Sequence, residues 1–187
     1  GGAVFGYKQS GQISKVGLEH YNNLLKRSVS EKTGVYKEEK SVDVFFFGKS
    51  LIPIYYVLDE SDRFSFYTKI NKGLNHQVLL DIEKELIDRF GKPPKETINY
   101  LNLARLKIVL KNTFVLNLAI NQNNVEFILE AERVSDSFIN EALIFKNNLI
   151  KDRKFKQVKS GPSFVVFFNE GFDWYENICK SINLFQV

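Results

Sequence analysis

Apolar positions along the chain change their period several times, and each change predicts an element. From Ile13 the spacing of Ile13, Val16, Gly17, Tyr21, Leu24, Leu25 and Val29 is helical, which predicts a helix to about Lys32 with Gly34 as its stop. Before it, residues 1–12 are a glycine-punctuated loop. After it, Val35–Lys40 is a charged linker. Val42–Phe47 and Ile52–Val57 are rich in β-branched and aromatic side chains and read as strands, the second shortened or irregular because of Pro53. Asp59 then predicts an N-cap for a helix with Phe64, Tyr67 and Ile70 on its apolar stripe, ended by Lys72-Gly73. Asn75 caps a second helix through Phe90, in which Val78, Leu79, Ile82, Leu86 and Phe90 are spaced for burial. Gly91 suits an αL stop and Pro93-Pro94 prevents continuation, so a third helix starts near Pro94 and runs through Leu110.

Past Lys111 the period returns to that of strands. Phe114–Ile120 and Val125–Glu130 flank a polar Asn121–Asn124 connection, which predicts a hairpin. Ser135 or Asp136 caps a helix to about Asn148, residues 151–159 form a basic segment, Ser163–Phe168 is a strand, and Phe172–Leu184 is a closing helix. Hairpin-joined strands between runs of helices imply an α+β fold. Its helices pack on a small, mostly antiparallel sheet, and a loop-helix segment precedes them.

Composition narrows the function classes. The 187 residues are 44% hydrophobic and 26% charged, the balance of a globular chain. The single Cys179 rules out a disulfide framework or a Cys-rich zinc site. The longest apolar runs, Val44–Phe47 and Phe164–Phe168, fall well short of the roughly 20 residues that cross a bilayer. No signal peptide is visible, so the expectation is a soluble, cytoplasmic protein without a membrane role. The absence of an initial Met predicts a piece of a longer chain. Net charge is only +4, yet residues 41–91 carry 8 acidic against 6 basic side chains, an acidic island in a basic chain.

Few residues could carry chemistry. No GxxxxGK[ST] loop, HExxH, GxSxG or CxxC is present. Ser10 has no His or Asp placed near it, His20 and His76 read as ordinary helix residues, and Cys179 reads as a small packed or half-exposed side chain. A stand-alone enzyme and a metal site on Asp81, Glu85 and Asp88 are therefore not expected. Glu85 and Asp88 lie on neighbouring turns of one helix, with Arg89 four residues beyond Glu85. Lys151, Arg153, Lys154, Lys156 and Lys159 could together meet nucleic-acid phosphates, although Phe155 is their one aromatic.

Four segments taken in order resemble the bacterial transcription-repair coupling factors. Gly1–Ile13 resembles the end of that family's translocation motif, and Val16-Gly17-Leu18-Glu19-His20-Tyr21 with Leu24-Leu25 its "VGFELYxxLL" helix. Ile52-Pro53 to Asp59 and Arg63–Tyr67 are similar to "IPxxYIxDxxxRLxxY". Glu85–Gly91 with Pro93-Pro94 is similar to "ELxDRFGxxP".

The resemblance implies residues 1–34 as the end of the translocation motif and 35–187 as a C-terminal regulatory domain. The parent would be an ATP- and Mg-dependent DNA translocase acting on RNA polymerase, double-stranded DNA and UvrA. This chain would need no cofactor of its own. Gln9 matches the motif's Gln, implied to couple motor movement to DNA stepping. Glu85 and Asp88 match acidic positions implied to face a UvrB-like domain of the same chain, with Arg89 orienting Glu85. Such docking would mask UvrA binding. The alternative expectation is a nucleic-acid-binding module built on 151–159.

Overall fold

The computed structural model describes residues 40–187. The predicted loop and helix of residues 1–34, with Gln9, Ser10 and His20, lie outside the described residues. Within the span expected as one regulatory domain the chain forms two compact units. Gly48–Ile108 belongs to one, and Ser41–Phe47 with Val109–Val187 forms the other.

The first unit is helical. Helix α1, Glu60–Asn71, starts where the Asp59 side chain accepts the Asp62 N–H at 2.9 Å, with Glu60 and Asp62 adding negative charge to its first turn. Helix α2, His76–Phe90, starts on Asn75, whose side chain accepts the Val78 N–H. Helix α3, Lys95–Leu110, follows the Pro93-Pro94 break and carries its last two residues into the second unit. Burial of Phe66, Tyr67 and Ile70 from α1 against Leu79, Ile82 and Leu86 from α2 and Tyr100 and Leu101 from α3 makes the core, which Ile52 and Val57 complete. Fully buried aliphatic and aromatic side chains of this kind each contribute about 1.5–3 kcal/mol of transfer free energy.

Two expectations fail in this unit. Residues 52–57 form no strand: the Pro53 carbonyl accepts the N–H groups of both Tyr56 and Val57, closing a turn instead. Proline cannot donate to a ladder, and a turn takes up its fixed φ without loss. Gly91 has φ +83° but ψ −167°, outside the αL basin. Its carbonyl there accepts the Tyr56 hydroxyl at 2.7 Å, so the turn at 53–57 is tied to the end of α2.

The second unit is a five-stranded sheet: β1 (Asp43–Phe46), β2 (Val115–Ile120), β3 (Asn124–Leu129), β4 (Ile150–Val158) and β5 (Gly161–Phe168), ordered β1-β2-β3-β5-β4. Only β1 and β2 pair in parallel, so the sheet is mixed and mostly antiparallel. Alternation puts Phe127, Phe155 and Phe164 on one face. Phe138 of α4 (Asp136–Ile144) meets Phe155 there, and Phe185, in the 3-10 turn Ile182–Phe185 after α5 (Trp174–Ser181), meets Phe127. The basic segment 151–159 becomes edge strand β4, where lysines discourage pairing with another chain. Helix α4 stops at Ile144 instead of Asn148, because Phe145 is extended and Arg153 takes up the terminal carbonyls. The closing helix starts at Trp174, after an Asp173 cap, and tightens to 3-10 geometry past Ser181.

Candidate functional site

The short connection between α1 and α2 makes an antiparallel pair, so the first turn of α1 lies beside the last turns of α2. Arg89 joins the two ends. Its Nη1 lies 3.2 Å from Glu85 Oε2, one helical turn back, and its Nη2 lies 3.3 Å from Asp62 Oδ2 across the pair. Glu85 is approached from its other side by Lys69 Nζ at 3.3 Å. The Arg89 guanidinium also covers the rings of Phe66 and Phe90, at 5.4 and 4.9 Å from their centroids. The result is an alternating chain, Asp62–Arg89–Glu85–Lys69, of two carboxylates and two cations resting on aromatic faces.

This arrangement separates the two acidic residues singled out in the sequence. Glu85 is already paired twice, whereas Asp88 is exposed and makes no hydrogen bond or ion pair among the described residues. Asp81, also exposed, accepts a hydrogen bond from the Gln77 amide at 2.9 Å. Helix α2 ends close to Asp88, so the negative end of its dipole adds to that carboxylate. Chemically this is a surface that attracts cations weakly and in a fixed direction. Among the described residues no group of three His, Cys, Asp or Glu could hold a metal ion.

Lys69 and Asp62 were missed as members of this cluster. Their signal was present: in a tight helical hairpin residue numbers run in opposite senses, so positions early in α1 face positions late in α2. Glu83, half-buried, pairs with Arg105 of α3 at 2.6 Å, an ion pair that no local spacing announces.

The five basic residues of 151–159 do not form one patch. Strand alternation sends Arg153 to the helix-covered face, where its guanidinium donates to the carbonyls of Ala142 (2.7 Å) and Phe145. Burial there lowers the Arg153 pKa. Lys154 and Lys156 lie on the opposite face, Lys154 over the ring of Phe167 and Lys156 3.6 Å from Glu126. Glu126 in turn accepts the Ser163 hydroxyl at 2.5 Å. Lys151 sits at the register shift between Ile150 and Asp152, and Lys159 sits in the β4–β5 turn. His76 is the exposed first residue of α2. Cys179 is exposed on α5, its thiol pKa raised chiefly by desolvation.

Three kinds of comparison converge on one family. The family model for the TRCF domain matches residues 48–138, which include the whole Asp62–Arg89–Glu85–Lys69 cluster. The transcription-repair-coupling factor of Myxococcus xanthus is 31% identical over 136 residues, covering 72% of this chain and 11% of that protein. Its counterpart from Staphylococcus epidermidis is 25% identical over 180 residues, 95% of this chain and 15% of that protein. This chain thus spans well under a fifth of the length of these relatives. A crystal structure of the C-terminal domain of transcription-repair coupling factor has a similar fold, with a TM-score of 0.62 at 20% identity over 80% of this chain and 92% of that one. Through its TRCF domain, this chain belongs to the transcription-repair coupling factor family.

Proposed function

We propose that this chain is a non-catalytic regulatory domain of an ATP-dependent DNA translocase that couples transcription to nucleotide excision repair. It docks on a UvrB-like domain of the same polypeptide and masks the surface that binds UvrA. The observation that supports this reading most is the acidic end of the α1–α2 pair, where Asp88 has no counter-ion among the described residues, on a domain of the matching family. A basic partner surface meeting it would gain orientation and specificity more than affinity. Tethering within one polypeptide raises the effective concentration enough for such a weak contact to hold.

The chain has no GxxxxGK[ST] phosphate-binding loop, so in this reading the ATP and Mg chemistry would be supplied by other parts of the parent, which would also bind RNA polymerase and double-stranded DNA. Gln9 would serve as a coupling residue only beside such a motor. Nothing in the arrangement of Lys151, Arg153, Lys154, Lys156 and Lys159 favours the nucleic-acid reading over this one, since two of the five already have acceptors in the chain.

Titrating the isolated UvrB-like domain with the 187-residue chain, across a range of salt, tests the proposal. Asp88→Arg weakens binding and flattens its salt dependence. Glu85→Arg does so less, because Lys69 and Arg89 already neutralise Glu85. Unchanged affinity and salt slope in both variants would show that the acidic end is not the docking surface. Competition between UvrA and the UvrB-like domain then reports on masking.

A further inference from the structure

The sheet of the second unit has an open edge at β4, and Pro162 in β5 fixes which backbone groups of that edge face outward. Opposite residues of an antiparallel pair alternate between exchanging both hydrogen bonds and exchanging none. Gln157 lies opposite Pro162, which has no N–H to give, so this pair exchanges none. Phe155 opposite Phe164 and Arg153 opposite Val166, two and four residues back, are then of the same kind. The N–H and C=O groups of Arg153, Phe155 and Gln157 therefore point away from β5. Arg153 agrees with this: its N–H donates to the exposed Asp152 carboxylate at 2.8 Å, outside the ladder. The other five groups have no backbone partner among the described residues.

Side chains give this row a direction. Lys154 and Lys156 project from the face opposite α4, and Lys159 follows in the turn, whereas Asp152 lies at the start. Lys156 already has Glu126 at 3.6 Å, while Lys154 has no carboxylate among the described residues. On the other face the half-buried Phe155 ring stacks on Phe164 at 4.5 Å.

We propose that the β4 edge is a docking site for an extended segment of another protein in which acidic residues alternate with apolar ones. Such a segment supplies donors and acceptors at strand spacing, which the outward row of β4 requires and a nucleic-acid backbone lacks. Its alternate side chains lie on opposite faces, carboxylates beside Lys154 and Lys156 and apolar groups beside Phe155. Asp152 repels a carboxylate at its own end, so the acidic part of the guest lies toward Lys159. A second copy of this chain does not fit, because two β4 edges would set Lys154 against Lys156, and like charges directly opposite are destabilising. The lysines that guard the edge against its own kind thus select an acidic strand. This site belongs to the sheet unit and does not draw on the acidic end of α1–α2.

The test uses the 187-residue chain and an end-blocked peptide of about ten residues alternating Glu with Val. Binding slows hydrogen exchange at the Phe155 and Gln157 amides, the two free donors of the edge. Gln157→Pro removes one of these donors without touching the β4–β5 ladder, and weakens binding about tenfold with its salt dependence unchanged. Lys154→Gln with Lys156→Gln weakens binding and flattens the salt dependence. A peptide N-methylated at its Val residues repeats the backbone test on the unaltered chain, whatever the stability of the proline variant. If the methylated peptide binds as tightly as the plain one and neither amide is protected, the attraction is charge alone and strand pairing is overturned. If a peptide alternating Lys with Val binds equally well, the selection for acid falls. Absence of peptide binding overturns the proposal, and an oligonucleotide held by Lys154 and Lys156 in its place makes the edge a nucleic-acid surface.

Discussion

The Tyr67 hydroxyl accepts the buried Ile52 N–H at 2.7 Å, joining α1 to a segment 15 residues earlier. This bond satisfies an amide that the turn at Pro53 leaves without a ladder partner. Arg63 acts beside it, donating from Nη1 to the carbonyls of Val57 (2.7 Å) and Leu58 (2.9 Å). Between them the two side chains tie down a turn whose own backbone bonds run from the Tyr56 and Val57 N–H groups to the Pro53 carbonyl.

Removing the hydroxyl therefore tests this bond. Tyr67→Phe keeps the ring and its edge contact with Tyr100 but strands the Ile52 N–H. The expected loss is about 1–3 kcal/mol, the cost of a buried unsatisfied donor, measured by urea denaturation. A stability equal to that of the parent chain would show that the amide finds another acceptor.

The same phenol predicts a pH dependence. Burial pushes the Tyr67 pKa up to about 12, against smaller lowering effects from the Ile52 N–H and Arg63. The folded chain thus holds this proton more tightly than the unfolded one. Its stabilising effect is complete below about pH 10 and is lost progressively as pH rises toward 12, by about 2–3 kcal/mol in total. Alkaline unfolding curves recorded for the parent chain and Tyr67→Phe test this, because the variant lacks this component of the pH slope.

Two arginine ion pairs differ in environment and should differ in energetic consequence. Arg89 and Glu85 leave 44% and 38% of their side chains exposed, and Arg89→Gln costs at most about 1 kcal/mol. Arg105 and Glu83 leave only 14% and 21% exposed, and Arg105 also donates to Asn102. Arg105→Ala strands the Glu83 carboxylate and costs about 3 kcal/mol. Chemical denaturation of the two variants side by side decides the ranking.

In the sheet, Arg153→Ala removes donors from the carbonyls that end α4. Hydrogen exchange of the amides in 138–145 accelerates, with a loss of about 1–3 kcal/mol if the carbonyls stay buried. Lys154→Ala, on the opposite face of the same strand, leaves that exchange unchanged.

Gly161 opens β5 at φ +134°, and a Cβ there would stand 3.2 Å from the Leu129 carbonyl oxygen. Gly161→Ala is expected to lose about 1–2 kcal/mol, read as a lower denaturation midpoint. Gly171, also at positive φ but with open space around it, serves as the control for backbone strain alone.

Much of this architecture was legible in local pattern. Asp59, Asn75 and Ser135 cap the helices that follow them, and the Asn121–Asn124 connection joins β2 to β3. The cap works through a side chain reaching an amide three residues on, and such contacts are written in sequence. Val78 shows the limit, since helical spacing placed it among the buried positions and the structure leaves it exposed. Period selects a face, but the width of that face depends on how many neighbours pack against it.

By itself the sequence determined the α+β class, the helix starts, the lack of known catalytic motifs and the resemblance to the coupling factors. These follow from contacts within a few residues or from motif identity. Tertiary structure alone decided that Glu85 is neutralised and Asp88 is not, and that Arg153 caps a helix instead of joining its neighbouring lysines. Each of those outcomes depends on which distant residue arrives beside a side chain: Lys69 beside Glu85, the α4 carbonyls beside Arg153, nothing beside Asp88 among the described residues. Electrostatic and packing energies are set by such neighbours, and a one-dimensional pattern does not contain them.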